Sequence, residues 1–125
     1  DTQLTFSQEI KMDGAIIVST PQEVALLDVK RGIKMFDKLG VKILGLVDNM
    51  SYFTGDDGKK YKIFGEGGVK RTAEEFGKKF LGQIPINSEV GKCGDEGKPI
   101  VEAYPDHEIS KIYLELAINI KHQYL

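Results

Sequence analysis

Three short segments carry side chains suited to holding a small polar ligand. They are Ser19-Thr20-Pro21-Gln22, Asp48-Asn49-Met50-Ser51 and Ile84-Pro85-Ile86-Asn87. Each lies at the end of an apolar run, and each offers hydroxyls, amides or a carboxylate for hydrogen bonding. The same residue types are favoured in turns and helix caps, so their pattern alone leaves both readings open. A phosphate-binding loop would decide the matter. Gly-Lys occurs at Gly58-Lys59, Gly77-Lys78, Gly91-Lys92 and Gly97-Lys98, but no copy is followed by Ser or Thr and none has a glycine five positions earlier. The phosphate-loop pattern is therefore absent from this sequence. Gly65-Glu66-Gly67-Gly68 precedes a helical pattern but follows no strand, and it reads as a flexible hinge.

The remaining reactive residues are isolated. His107 and His122 share no metal partner at ligand spacing and read as solvent-facing residues of a last helix. Cys93 is the single cysteine. It excludes an internal disulfide framework and any multi-cysteine metal site built from one copy of the chain. Asp28 interrupts the apolar run Val24-Ala25-Leu26-Leu27 before Val29, and reads either as a solvent-facing residue or as a charge aimed at a partner.

These candidates must be positioned by a small set of elements. Ala15-Ile16-Ile17-Val18, Ile43-Leu44-Gly45-Leu46-Val47 and Phe80-Leu81-Gly82-Gln83-Ile84 are continuous apolar runs rich in β-branched and aliphatic residues. They predict strands near 14–19, 42–48 and 79–84, buried on both faces. Thr20 suits a helix cap, with Pro21 at the first helical position. Leu26, Val29, Ile33 and Phe36 then recur at three- and four-residue spacing up to Gly40. Val69, Ala73 and Phe76 mark a short helix ended by Gly77. Residues 51–68 read as a loop with five glycines, and 87–99 as an irregular glycine-rich stretch. Pro105 is expected to open a last helix with Ile109, Ile112, Tyr113, Leu116 and Ile120 as its stripe. The opening, 1–11, is polar, lacks an initiator Met and reads as an internal stretch, with Leu4 and Phe6 suited to a short helix or extended lead-in.

Alternating strands and helices predict an α/β fold: a parallel sheet of about three strands with flanking helices. In such sheets ligands bind beyond the carboxyl ends of the strands, where the three polar segments fall. Three strands make a thin sheet with few helices to cover it, so the chain is expected to be part of a larger α/β domain or to pair with another chain. The 125 residues are 41% apolar and 29% charged with a formal charge of -2, the balance of an ordinary soluble domain. Neither a strongly basic nucleic-acid binder nor a polybasic membrane anchor fits this balance. No apolar run spans a bilayer and no signal segment opens the chain, so a cytoplasmic or organelle-matrix protein is expected. The excess of acidic residues between Ile84 and Ser110 reads as a solvated surface.

The stretch Gly14-Ala15-Ile16-Ile17-Val18-Ser19-Thr20-Pro21-Gln22-Glu23-Val24-Ala25-Leu26-Leu27-Asp28 resembles the Mrp/ApbC family of P-loop ATPases, relatives of MinD and ParA. So do Leu46-Val47-Asp48-Asn49-Met50-Ser51-Tyr52-Phe53, Ile63-Phe64-Gly65-Glu66-Gly67-Gly68, Leu81-Gly82-Gln83-Ile84-Pro85-Ile86 and Gly97-Lys98-Pro99-Ile100-Val101. The matches are colinear and cover nearly the whole chain. The resemblance implies a homodimeric ATP-dependent carrier of iron–sulfur clusters, with ATP and Mg2+ at the dimer interface and iron–sulfur recipient proteins as partners. It also implies that residues 1–125 are the C-terminal half of a MinD-like P-loop domain. The P-loop half and the magnesium motif precede this stretch, with Asp1-Thr2-Gln3-Leu4-Thr5 resembling the sequence just after that motif.

By the same resemblance, Asn49 contacts adenine, Pro85 and Ile86 lie along the base, and Asp28 faces the signature lysine of the partner subunit. The family's Cys-x-x-Cys after Asn-Met-Ser-Tyr-Phe has no counterpart. Thr54-Gly55-Asp56-Asp57-Gly58 stands there, without the thiolates that iron–sulfur clusters use. A second reading keeps the fold as a ParA/MinD-like nucleotide switch acting as a regulatory or interaction protein. A third, a flavodoxin-like binding module without ATP, needs a phosphate loop after the first strand, and Thr20-Pro21-Gln22 is not one. Without a P-loop the chain alone is expected neither to hydrolyse ATP nor to bind it well. An uncovered apolar sheet surface is expected to make it self-associate.

Overall fold

The structure, a computed structural model, describes residues 12–124. The expectations for Asp1–Thr5 and for Leu4 and Phe6 lie outside the described residues. The first apolar run forms β1 (Ala15–Ser19), and α1 (Glu23–Leu39) follows it. Val29, Ile33 and Phe36 are the buried residues of α1, at the spacing that places them on one face. Gly40, at φ 72°, ends it in the left-handed conformation, and its N–H returns to the Asp37 carbonyl. The start of α1 differs from expectation. Gln22 occupies the cap without a side-chain bond to the helix, because the Thr20 hydroxyl is engaged with Gln22 Oε1 at 3.1 Å.

The second run forms β2 (Ile43–Asn49). The segment expected to be an irregular loop contains a small antiparallel hairpin, β3 (Phe53–Thr54) and β4 (Lys60–Tyr61), with Phe53 opposite Tyr61. Next come α2 (Gly68–Glu75) and β5 (Phe80–Ile84). The stretch after β5 is also more regular than its glycines imply. It holds α3 (Ser88–Asp95), because Asn87 Oδ1 accepts the Glu89 N–H at 2.9 Å and caps the helix. A single turn, α4 (Ile100–Ala103), precedes the last helix, α5 (Glu108–Tyr124). That helix begins three residues beyond Pro105. His107 caps it, its Nδ1 accepting the Ile109 N–H at 3.0 Å, so this histidine is half-buried and structural whereas His122 is exposed.

The sheet has the order β1-β2-β5 and all three strands are parallel, as the apolar runs predict. One core lies between the sheet and α1 and α2, built from Ala15, Ile33, Phe36, Leu46, Val69 and Ala73. A second lies between β2 and β5 and the helices α3 to α5, built from Val47, Ile84, Cys93, Ile100 and Ile109. The Tyr124 hydroxyl donates to the Leu44 carbonyl at 2.9 Å and ties the end of α5 back to β2.

The second layer does not reach β1. Ile16 is 41% and Val18 56% exposed, so this strand is not buried on both faces. Alternation along the strand puts both on the face opposite Ala15 and Ser19. The expected uncovered apolar sheet surface is therefore present. Much of α5 is exposed too, Tyr113 among its expected stripe residues. No helix among the described residues is long and apolar enough to cross a membrane.

Candidate functional site

Parallel strands ending at one level bring their trailing loops together. Asn49, the last residue of β2, pairs with Ile84, the last residue of β5. Just beyond, the Ser51 N–H donates to the Ile84 carbonyl at 3.0 Å, and the Ile86 N–H donates to the Tyr52 carbonyl at 2.7 Å. The loops carrying Asn49 and Pro85-Ile86 are thus stitched to each other beyond the sheet. Pro85 is buried, while Asn49 and Ile86 are half-buried. Three of the four candidate site residues, Asn49, Pro85 and Ile86, thus lie on neighbouring chain segments at the same end of the sheet. An amide supplies a donor and an acceptor side by side, the pattern of an adenine edge.

Asp48, read from the sequence only as a member of the polar segment Asp48–Ser51, takes a specific role in the structure. It is 1% exposed, and its Oδ2 accepts the Ser51 hydroxyl at 2.9 Å. Its Oδ1 is buried with no hydrogen-bond partner among the described residues. Burial pushes this carboxyl above the usual range, and the bond from Ser51 pulls the other way. Between the bonded pair sits Met50, whose φ of 54° is the only positive value among the described non-glycine residues. Left-handed backbone costs a non-glycine residue roughly 1–2 kcal/mol. The Asp48–Ser51 bond, worth about 1–2 kcal/mol net, offsets a cost of that size. The spacing of a carboxylate and a serine three positions on is visible in the sequence, whereas the burial that gives their bond its weight is not.

The loop after β1 is closed in a different way. Ser19 is buried with its hydroxyl donating to the Thr20 carbonyl at 2.8 Å. The Gly65–Gly68 segment packs against it, and this decides its role. A Cβ on Gly68 would stand 2.6 Å from Leu26 Cδ1, and one on Gly65 would stand 3.2 Å from the Pro21 carbonyl oxygen. These glycines allow the start of α2 and the loop before it to approach Pro21 and α1 closely, a packing role that the hinge expectation did not include. Asp28 lies on the outer side of α1, its carboxylate 3.8 Å from Arg31, with both side chains largely exposed. No hydrogen bond joins it to the Asn49 cluster among the described residues. The exposed Val24 and Leu27 accompany it.

The hairpin occupies the place of the missing thiols and closes on itself. Asp57 Oδ1 accepts the Lys59 N–H at 2.9 Å, and its Oδ2 accepts the Tyr61 hydroxyl. These two bonds hold the Asp57 carboxyl below the usual range. Cys93 is buried within α3, far from this hairpin in sequence and in a different layer. No group of three or more His, Cys, Asp or Glu among the described residues could hold a metal ion. A cleft of about 590 Å³ lies between α3, α4 and α5 and is lined mainly by apolar residues such as Val90, Ile100 and Leu114. Cys93 is among its lining residues, whereas Asp28, Asn49, Pro85 and Ile86 are not.

An open parallel sheet with its polar loops gathered at the strands' carboxyl ends defines an α/β protein of the kind that binds ligands there. The sequence profile of the ParA-type family described as NUBPL iron-transfer P-loop NTPase matches residues 1–121, and the chain belongs to this family. It is 45% identical over 118 residues to an iron-sulfur cluster carrier protein of Aquifex aeolicus, covering 94% of this chain and 32% of that protein. It is 48% identical over 121 residues to an Arabidopsis thaliana iron-sulfur protein required for NADH dehydrogenase, mitochondrial, covering 96% and 39%. The chain thus spans about a third of the length of these relatives. Among solved structures, an Archaeoglobus fulgidus nucleotide-binding protein in complex with ADP shares 38% identity at a TM-score of 0.65, over 76% of this chain and 40% of that one. MinD of Aquifex aeolicus superposes with a TM-score of 0.71 at 18% identity, over 96% and 47%, and shares the fold.

Proposed function

We propose that residues 1–125 are the C-terminal part of a single MinD/Mrp-like P-loop ATPase domain. The chain supplies the base-contacting side of an ATP–Mg2+ site in a protein of iron–sulfur cluster assembly or transfer, in the cytoplasm or an organelle matrix. The observation that supports this reading is the pairing of Asn49 with Ile84, which ends β2 and β5 at one level and brings the chain segments of Asn49 and Pro85-Ile86 to the same end of the sheet. In the proposed site Asn49 hydrogen-bonds the base edge, and Pro85 and Ile86 flank its face. Bound ATP–Mg2+ supplies the phosphoryl group. Neutralising the charge on that group needs a phosphate loop, which this sequence lacks. Asp28, exposed beside Val24 and Leu27, fits a contact to a second subunit of a homodimer.

The hairpin does not fit a cluster as cargo. It holds no thiol, and Asp57, the acceptor at its tip, is already engaged by Tyr61 and Lys59. This observation favours a second reading, in which the protein keeps the nucleotide switch of its relatives and acts as a regulatory or interaction partner. Iron and sulfide reconstitution of the full-length protein separates the two. A cluster absorbance band supports carriage, and its absence supports the switch. The nucleotide reading is tested by calorimetric titration of ATP–Mg2+ into the full-length protein and into the 125-residue chain. Binding is expected in the first alone, because one amide and a small apolar contact do not offset the cost of immobilising a ligand. Micromolar affinity in the isolated chain overturns the assignment.

A further inference from the structure

We infer that Asp48 and Ser51 are positioning residues for base recognition, their buried hydrogen bond holding Asn49 against the Pro85-Ile86 loop. The inference rests on the base-site reading above and adds two residues that touch no ligand themselves.

The geometry gives the pair this task. Asn49 and Met50 are the two residues enclosed by the Asp48–Ser51 bond, so the bond closes a loop around the base-contacting residue. Met50 holds a left-handed conformation that the chain would otherwise leave. Ser51 acts through both of its donors: its hydroxyl anchors to Asp48 and its N–H to the Ile84 carbonyl. Losing the first bond frees the turn that delivers the second. Relaxing Met50 changes the backbone directly after Asn49, the residue whose placement the base contact depends on. Asp48 is 1% exposed, which removes solvation as an explanation for a carboxylate at this point. A hydrophobic residue would fill the space without the cost of burying a charge, so the carboxylate is retained for the bond it makes.

The test uses the full-length protein with two probes, ATP–Mg2+ and inorganic tripolyphosphate, the second having no base. Ser51→Ala is expected to weaken ATP binding roughly five- to tenfold, the loss of one contact, and to leave tripolyphosphate unchanged. Ser51→Thr, which keeps a hydroxyl, is expected to restore ATP affinity. In an Asn49→Ala background Ser51→Ala is expected to cost nothing further, because it acts through Asn49. If Ser51→Ala folds poorly, Asp48→Leu removes the acceptor at similar volume and is expected to give the same selective loss. Equal losses for both probes, an additive double variant, or unchanged ATP affinity in Ser51→Ala overturns this inference alone. Failure of the unmodified protein to bind ATP, or an indifferent Asn49→Ala, overturns the base-site reading and this inference with it.

Discussion

Asn49 stands opposite Ile84 on the neighbouring parallel strand, so β2 and β5 end at one level. That register brings the chain at Asn49 to the same end of the sheet as a buried Pro85 and a half-buried Ile86. In the full-length protein Asn49→Ala is expected to weaken ATP–Mg2+ binding by about 1 kcal/mol, or five- to tenfold, read by calorimetry. Asp28→Ala, on the outer side of α1, is expected to lower the hydrolysis rate more than the affinity. The comparison of the two variants distinguishes a base contact from an intersubunit one. Asn49→Ala with unchanged affinity removes the base contact from the account.

The hairpin gives a prediction of a different kind. Asp57 is ionised more readily than an ordinary carboxyl, because the Tyr61 hydroxyl and Lys59 N–H both bond its charged form. A depressed folded value means that the contribution is present above the ordinary carboxylate range and is lost as pH falls through the Asp57 value. Protection of the 55–61 amides, taken relative to their intrinsic exchange rate at each pH, is therefore expected to fall on acidification, and Asp57→Ala to lower it at neutral pH. Even when closed, a pair of two-residue strands is a weak unit. Protection is expected to drop just after Phe53 while 43–47 stay protected. Equal protection across both segments counts against this account.

The three strands, their parallel order and the two helices packed on the first core were legible because their signals are repetitive. Runs such as Ile16-Ile17-Val18, and Val29, Ile33 and Phe36 at helical spacing, restate one periodicity several times. What was not legible rests on single interactions. α3 contains Gly91 and Gly94, which argue for a loop, yet one Asn87 cap and the burial of Cys93 outweigh them. The start of α5 shifted from Pro105 to Glu108 because His107 supplies the cap. The hairpin depends on Asp57 accepting from residues two and four positions on, a pairing that composition hides. At the site, the types and spacing of Asn49, Pro85 and Ile86 were visible. Asp48 was visible only as part of a polar strand-end segment, because an acidic residue there looks like a turn former until its burial is known.

Asp48 links stability to pH. Its carboxyl titrates above the usual range, chiefly because burial penalises the charged form. A raised folded value means that the native state binds the proton more tightly than the unfolded chain does. Its contribution is fully present below the ordinary carboxylate value of about 3.9 and is lost as pH rises through the raised folded value. Asp48→Asn keeps an oxygen to accept from Ser51 and abolishes the titration. Denaturant unfolding across this window is expected to show a flatter pH dependence in Asp48→Asn. At neutral pH the variant is expected to be at least as stable as the unmodified protein. A variant with the same pH slope would mean that Asp48 is no more costly to ionise folded than unfolded.

Ile16 and Val18 make the uncovered face of β1 the place where the 125-residue chain is expected to self-associate. Alternation puts the two side chains on one face, at 41% and 56% exposure, while Ala15 and Ser19 on the other face are buried. β1 is also an edge of the sheet, with β2 on one side and no described strand on the other. An edge strand with an open apolar face combines unpaired backbone groups with unburied surface, and both favour association. Val24 and Leu27 on α1 offer a competing apolar surface, so the two need separate variants. Ile16→Lys with Val18→Lys places charge on the strand face, and Val24→Lys with Leu27→Lys does the same on the helix. Sedimentation of the unmodified chain is expected to show dimers or larger species at high concentration. The strand pair of substitutions is expected to shift it toward monomer, and the helix pair to have the smaller effect. A monomeric unmodified chain removes the strand face as a sticky surface, and a larger shift from the helix pair transfers that role to α1.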